Sequence, residues 1–258
     1  MKFTSILKGK CARALVVGFF LTIMGGRAQA TNILVYDLFG GFEQANLFAA
    51  NPGSWTFTVV PGAAFASLTA AQIAAFDVIW VSWLGRNSSA NDGNAGLFAN
   101  AANLAAAIGL GTGIVVEATL GGSYGFLPGT PGAFTFSSCG TGPITAAGLA
   151  AGLTQTMLDG SFGCHGSITG WGSGYTNFVT GPFGTSSYVG DTGSFGGRIV
   201  LTGHDPDWHA FGFSSADAQI LRALVGFADS GSAIPEPATW IMLGLGLIAL
   251  PHVRKLVG

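Results

Sequence analysis

Lysine is absent between residues 31 and 237, and only three arginines occur there, whereas all twelve acidic residues of the chain lie in that stretch. Three positive charges against twelve negative ones give the stretch a formal net charge of −9. Nucleic acids are held through phosphate contacts with lysine and arginine, so this composition excludes a nucleic-acid partner. The negative charge is compatible with a soluble surface and with divalent cations.

The N-terminus has the order of features that directs export. A basic segment ending at Arg13 precedes the apolar run Ala14–Met24, and the small-residue motif Ala28-Gln29-Ala30 follows. This order is typical of a secretory signal peptide that signal peptidase removes by cutting after Ala30. We therefore expect residues 1–30 to be lost and the protein to be exported through the inner membrane.

The C-terminus carries a second short apolar run. The uncharged run Ala238–Leu250 is shorter than the about 20 apolar residues of a comfortable membrane span. It follows Pro235-Glu236-Pro237 and precedes the basic pair Arg254 and Lys255. This order closely resembles the PEP-CTERM sorting signal of Gram-negative bacteria that make exopolysaccharide. The alternative is an ordinary permanent membrane anchor.

The sorting-signal resemblance has consequences for location. It implies cleavage at or near Pro-Glu-Pro by an exosortase-type processing enzyme, so that the helix contacts the membrane only before processing. The processed protein would then lie at the cell surface or in the extracellular matrix of a Gram-negative bacterium. The chain divides accordingly into a signal peptide (1–30), one domain (31–232) and a sorting segment with a short transmembrane helix (233–258).

Cysteine is scarce, with three residues in the whole chain. Cys11 leaves with the signal peptide, and Cys139 and Cys164 remain. An even pair in an exported domain predicts a disulfide, and neither residue has the flanking sequence of a thiol nucleophile. The bridge would close a loop of about 25 residues and stabilise the fold by roughly 3 kcal/mol.

Short apolar strands alternate with helical segments in the first half of the domain. This alternation predicts a parallel sheet with helices on both faces. Thr69 and Gln72 have the spacing of a capping box at the start of one helix. The predicted strands are residues 33–37, 56–60, 77–83, 113–118 and 197–203, and the predicted helices are residues 43–50, a short one after Thr69, 95–108 and 216–228.

The regular alternation stops at residues 119–196, which are rich in Gly, Ser, Thr, Phe and Pro. So long a stretch is expected to be functional, disulfide-tied or rich in β-structure rather than formless. One helical patch is predicted at Thr145–Ala151. Aromatic residues such as Trp171 and Tyr175 recur in this insertion, and we expect most of them to form a small core, with stacking on sugar rings as the alternative.

Several segments resemble class I glutamine amidotransferase-like domains, including the ThuA-like branch. They are ILVYD, LTAAQIAAFDVIWVSW, GPITAAGL, GGRIVLTGHDPDWH and ADAQILRALVGFA. The resemblance implies a flavodoxin-like, doubly wound α/β fold with a mostly parallel sheet and an insertion. It also implies a nucleophilic cysteine on a tight turn after the fourth strand and a His-x-Glu group after a late strand.

The expected nucleophile position reads EATLGGSYG, without cysteine. Thr119 and Ser123 are its only hydroxyl residues, and neither stands in a nucleophile-elbow motif. A hydroxyl needs an activating base to act as a nucleophile, so we do not expect glutaminase activity.

Glu117 is an acid at the end of a predicted buried strand, and such an acid needs a partner. Arg86 or His204 could be that partner. The candidate catalytic residues are therefore Glu117, Ser123 and His204.

A second candidate place is the loop GHDPDWH, which follows the last predicted strand. Its four polar residues His204, Asp205, Asp207 and His209 indicate either a metal site or an acid–base pair. The alternative is a polar loop in which Asp205-Pro206 starts a turn. His165 is interpreted as an ordinary loop histidine. No cofactor is expected, and a divalent metal is the alternative.

Three functions remain open from the sequence. The first is a non-enzymatic binding or structural role at the surface or in the matrix, with extracellular polysaccharide as a partner besides the two processing enzymes. The second is a hydrolase of a surface glycan or amide that uses Glu117 and the His204–His209 loop. The third is a metal-dependent binding module built on the same loop.

Overall fold

The computed structural model describes residues 30–37, 42–84, 94–118, 123–136, 142–161, 163–181, 184–191, 193–210 and 215–230. Ala30, at the expected signal-peptidase site, is exposed. Ala28, Cys139 and the motif Pro235-Glu236-Pro237 lie outside these ranges. In the described part of the chain, no helix is long and apolar enough to cross a membrane.

The domain is built on one mixed, nine-stranded sheet. Five strands are parallel in the order β2-β1-β3-β4-β9. This is the strand order of flavodoxin-like doubly wound folds, so the predicted fold class is confirmed. The strands are β1 (Thr31–Asp37), β2 (Trp55–Pro61), β3 (Val78–Leu84), β4 (Gly113–Ala118), β5 (Ala133–Phe136), β6 (Gly166–Thr169), β7 (Tyr175–Thr180), β8 (Ser186–Asp191) and β9 (Ile199–Thr202).

The insertion continues this sheet with antiparallel strands. β8 pairs with β9, β6 pairs with β8, β5 pairs with β6, and β7 also pairs with β8. The region between β4 and β9 is therefore β-rich, which was one of the expected outcomes. Its aromatic residues Tyr175, Phe178 and Tyr188 are buried, as expected for a core rather than for a sugar-binding surface.

Helices cover the sheet. Thr69 and Gln72 form the predicted capping box, in which the Gln72 side chain accepts from the Thr69 backbone N–H at 2.8 Å. The described helices are α1 (Phe42–Ala49), α2 (Gly62–Phe65), α3 (Ala70–Ile73), α4 (Ala95–Ala99), α5 (Ala101–Gly109), α6 (Ala146–Ala150), α7 (Gln155–Asp159), α8 (Pro206–His209) and α9 (Ala216–Asp229).

The predicted helix 95–108 is interrupted at Asn100, which separates α4 from α5. The Asn100 side chain is buried and donates to the carbonyls of Phe65 at 2.7 Å and Leu68 at 2.8 Å. These two bonds hold the residue outside helical geometry, with φ −110° and ψ 17°. Tertiary hydrogen bonds thus override the helix propensity of the alanine-rich segment.

Alternate residues of the parallel strands enter two apolar layers, one on each face of the sheet. In β4, Ile114 and Val116 pack in one layer, and Val115 packs in the other. The second layer includes the buried face of α9. Gly113 permits this close packing, because a Cβ there would lie 2.4 Å from the carbonyl oxygen of Ala228. The two layers fix the carboxyl ends of β3, β4 and β9 beside one another.

Candidate functional site

Buried polar side chains collect where β3, β4 and β9 end. Ser82 belongs to the end of β3, Glu117 to the end of β4, and the segment from His204 to Asp207 follows β9. Ligands of open parallel sheets bind beyond these carboxyl ends, so this is the expected location of a site. The residues of the segment are fully buried, whereas its neighbour His209 is partly exposed.

Glu117 interacts with Asp207. Burial, the negative charge of Asp207 and a hydrogen bond with its side chain raise the pKa of Glu117 well above the usual range. A hydrogen bond from the backbone of Asp207 opposes this rise. Two ionised carboxylates can only accept, so the bond between them forms when one keeps a proton. Glu117 is that residue, and its partner is another acid rather than the expected histidine or arginine.

Asp207 is held by donors on β3. The indole Nε1 of Trp80 donates to its Oδ2 at 3.1 Å, and the hydroxyl of Ser82 donates to the same oxygen. Trp80 also lies 3.2 Å from the Ser82 hydroxyl oxygen. These bonds satisfy one carboxyl oxygen of Asp207. The pair therefore consists of two buried carboxyl groups, and burial favours the protonated form of Glu117.

His204 is a buried neutral histidine. Burial, aided by the charges of His165 and His209, lowers its pKa to about 3. Its ring packs on Tyr188 with centroids 4.7 Å apart, and its backbone N–H donates to the Thr202 hydroxyl at 2.8 Å. Its Nε2 has no hydrogen-bond partner among the residues that the structure describes. His204 is thus a core histidine rather than an accessible base.

The other ring nitrogen of His204 faces a polar pair that the sequence reasoning missed. Its Nδ1 lies 3.5 Å from the Ser161 hydroxyl, which donates to Asp217 Oδ1 at 2.6 Å. Burial raises the pKa of Asp217, and the bond from Ser161 opposes the rise. Asp217 lies in the first turn of α9, after the Ser215 N-cap. An acid at a helix start is common, so its position alone carried no signal.

A second group of side chains, His165, Asp205 and His209, forms a cluster beside these buried residues. His165 Nε2 lies 2.9 Å from Asp205 Oδ2, and His209 Nε2 lies 3.5 Å from Asp205 Oδ1. The Asp205 side chain is 0% exposed, whereas those of His165 and His209 are 31% and 24% exposed. Burial raises the pKa of Asp205, and the hydrogen bond and charge of His165 oppose the rise. One ligand atom from each residue lies within 4.8 Å of the others.

The structure thus divides the four residues of the GHDPDWH loop. Asp205 and His209 join His165, while Asp207 turns toward Glu117 and His204 toward Tyr188. The sequence predicts an ordinary loop histidine at position 165. The structure instead joins His165 to Asp205, a residue 40 positions away that no local pattern indicates. The position of His165 next to Cys164 was the available signal, since a disulfide would fix that segment.

The remaining candidate residues lie elsewhere. Ser123 is exposed at the start of the insertion, and its hydroxyl accepts from the Gly125 backbone N–H at 3.2 Å. Cys164 is disulfide-bonded. Arg86, Thr119 and the predicted bridge partner Cys139 are outside the described residues.

Comparisons with known proteins support the fold. No protein-family model and no curated protein matches the chain. One solved structure that matches is the 2.45 Å crystal structure of a protein assigned as part of a GMP synthase from Thermoplasma acidophilum. The match has a TM-score of 0.50 at 11% identity and covers 79% of this chain and 96% of that one. At this identity it shows the fold alone, which is a flavodoxin-like α/β fold.

Proposed function

We propose that the protein is an exported component of the cell surface or exopolysaccharide matrix, and that its amidotransferase-like domain has a binding or structural role. The signal-peptide pattern supports export, and the order of Pro-Glu-Pro, apolar helix and basic end supports sorting and cleavage by an exosortase-type enzyme. The domain itself begins directly after the expected cleavage site, since β1 starts at Thr31.

One observation carries the non-glutaminase part of this proposal. Where the family has its thiol, beyond β4, this chain has no cysteine, and the strand ends in Glu117, which is fully buried against Asp207. Cys164 is disulfide-bonded and supplies no free thiolate. The described residues after β4 therefore include no accessible thiolate, which supports a role other than that of a glutaminase.

Processing can be tested by mass spectrometry of the protein recovered from its host. We expect an N-terminus at Thr31 and a C-terminus at or near residues 235–237. A chain that keeps residues 238–258 in the membrane fraction would contradict sorting and support the permanent anchor. Replacement of Pro235 and Pro237 by alanine should prevent cleavage, whereas replacement of Ser232, just outside the motif, should leave it unchanged.

Matrix binding can be tested separately by light scattering after size exclusion of the host exopolysaccharide, with and without the processed protein. An increase in polymer mass with co-eluting protein is expected. A decrease in polymer mass would contradict a binding role and indicate depolymerisation. Unchanged mass with separate elution would contradict polysaccharide as the partner.

A glycan or amide hydrolase is the second candidate, favoured by the Glu117–Asp207 pair. A carboxyl group of raised pKa beside a second carboxyl group is a pattern used in acid–base catalysis. The burial of both residues opposes this role, because neither reaches solvent. Release of reducing ends or ammonia that is lost in Glu117→Gln would support the hydrolase. The same release in Glu117→Gln and in the unmodified protein would exclude this pair as its source.

A further inference from the structure

We propose that His165, Asp205 and His209 bind one divalent transition-metal ion of the zinc type. One imidazole nitrogen from each histidine and one carboxylate oxygen lie within 4.8 Å of one another, and two imidazoles with one carboxylate are the ligand set of many three-ligand metal sites. The cluster is distinct from the buried Glu117–Asp207 pair. It would bind metal whether or not the domain binds polysaccharide.

The carboxylate at the centre of the cluster is suited to bind a cation. Asp205 is fully buried, and its Oδ1 has no hydrogen-bond donor among the described residues. His209 Nε2, at 3.5 Å, makes only an electrostatic contact with this oxygen. A buried carboxylate oxygen without a donor is costly, and a bound cation would remove that cost.

The distances need only a small adjustment to bind metal. Ligand atoms about 2.0–2.2 Å from a tetrahedral ion are separated by about 3.3 Å. His165 and Asp205 are already closer than this, with Nε2 and Oδ2 2.9 Å apart. The longer separations involve the side chains of two histidines that are 31% and 24% exposed. Their exposure also leaves the remaining coordination positions open to water or a ligand.

The ligand chemistry selects the class of metal. Imidazole nitrogen favours zinc, copper, iron and nickel, whereas magnesium and calcium favour sites made of oxygen. Two of the three ligands here are imidazoles. The two described arginines are engaged elsewhere, since Arg198 lies over the Phe227 ring at 4.7 Å and Arg222 donates to the Ala50 carbonyl. A metal ion is thus a suitable counter-charge for Asp205.

The backbone holds the ligands in place before any metal binds. The Asp205 N–H donates to the Gly163 carbonyl, and the His165 N–H donates to the Gly203 carbonyl, both at 2.8 Å. Asp205 and His209 are one helical turn apart, around α8. The disulfide at Cys164 constrains the segment that carries His165. Such preorganisation lowers the ordering cost of binding.

Gly163 is the residue whose small size keeps the cluster open. A Cβ at this position would lie 2.6 Å from Asp205 Oδ1 and 2.9 Å from the Cδ2 of His209. Gly163→Ala therefore places a methyl group between two of the ligands. This variant tests the site without removing any ligand atom.

The experiment uses the processed protein after removal of metal with a chelator. Isothermal titration with Zn²⁺ should show one ion per chain, with Mg²⁺ and Ca²⁺ as comparison ions that bind much more weakly. Substitution with Co²⁺ should give the visible absorption of a bound imidazole site. His165→Ala, His209→Ala and Gly163→Ala should each weaken Zn²⁺ binding at least tenfold. Asp159→Asn, which changes an exposed acid on α7, should not alter it.

The outcomes separate cleanly. Failure of the unmodified protein to bind Zn²⁺ stoichiometrically would overturn the proposal, as would binding that all three variants retain. Circular dichroism of the metal-free variants provides the folding control, and the two histidines are exposed enough that their replacement should leave the fold intact. If the unmodified protein binds Zn²⁺ but does not bind polysaccharide, the proposed matrix role is refuted and the metal site is not.

Discussion

The buried carboxyl groups of Glu117 and Asp207 interact at the carboxyl ends of the central strands. The donors Trp80 and Ser82 bind Asp207, whereas Glu117 is stabilised in its protonated form. The asymmetry arises from β3, which supplies donors to one acid and none to the other. The proton on Glu117 makes the unfolding free energy of the domain depend on pH.

Glu117→Gln should stabilise the protein at alkaline pH. The folded-state pKa of Glu117 is raised above its ordinary value of 4.5, so the stability that its proton contributes is present below that value and is lost as the pH rises through the folded pKa. Glutamine stays neutral and can donate to Asp207. We expect an unfolding free energy about 1–3 kcal/mol higher than that of the unmodified protein at pH 9, measured with urea.

The matched control for this substitution is Asp159→Asn, which neutralises an exposed acid. It should leave the pH dependence unchanged. In Glu117→Gln, the decrease of the unfolding free energy with increasing pH should be smaller but still present, since burial also raises the pKa of Asp217 and Asp229. If unfolding free energy falls with pH above 4.5 as steeply in Glu117→Gln as in the unmodified protein, Glu117 does not carry the proton.

His204→Gln should act at the acidic end of the pH range. The folded-state pKa of His204 is lowered from 6.5 to about 3, so stability is lost as the pH falls from 6.5 toward 3, where the unfolded chain takes up the proton. The variant should be less stable at pH 7, because it loses packing on Tyr188, yet lose less stability on acidification. Urea midpoints of the metal-free proteins at pH 7 and pH 4 measure this, and parallel losses in both proteins would be evidence against a neutral buried His204.

Asn100→Ala should destabilise the domain by about 1–3 kcal/mol, because the carbonyls of Phe65 and Leu68 lose a buried donor. Asn103→Ala is the control, since Asn103 is exposed and donates to the same Leu68 carbonyl at 3.3 Å. Chemical unfolding should separate the two variants clearly. Equal stabilities would mean that the break between α4 and α5 does not depend on the Asn100 side chain.

Cys164→Ser should affect both stability and metal binding. Loss of a disulfide that closes a loop of about 25 residues should cost roughly 3 kcal/mol. The same change frees the segment that carries His165, so Zn²⁺ affinity should also decrease. Non-reducing peptide mapping should identify Cys139 as the partner. Unchanged Zn²⁺ affinity in a folded Cys164→Ser variant would show that the disulfide does not preorganise the cluster.

The parallel half of the sheet could be predicted because its signals are local. Strands such as β1 and β4 are short apolar runs between turn residues, and the Thr69–Gln72 cap lies within one helical turn. The break at Asn100 could not, because it depends on carbonyls more than 30 residues away in sequence. Local propensity predicts an element but not the distant contacts that override it.

The site was predictable only in part for the same reason. The sequence places Glu117 and the His204–His209 loop at strand ends, and the structure finds them there. It could not show that Asp207 would face Glu117 or that His165 would join Asp205. Those contacts depend on how the antiparallel insertion returns to the strand ends, which no short-range pattern specifies.

The insertion has a further consequence through β9, which pairs with β4 on one side and with β8 on the other. The segment between β4 and β9 is therefore part of the central sheet, and it cannot be removed without breaking strand pairs. Its excision would expose the edge of β9, whose four residues are all buried, and leave unpaired backbone groups open to another chain. A shortened version of this protein should consequently self-associate rather than persist as a minimal parallel-sheet domain.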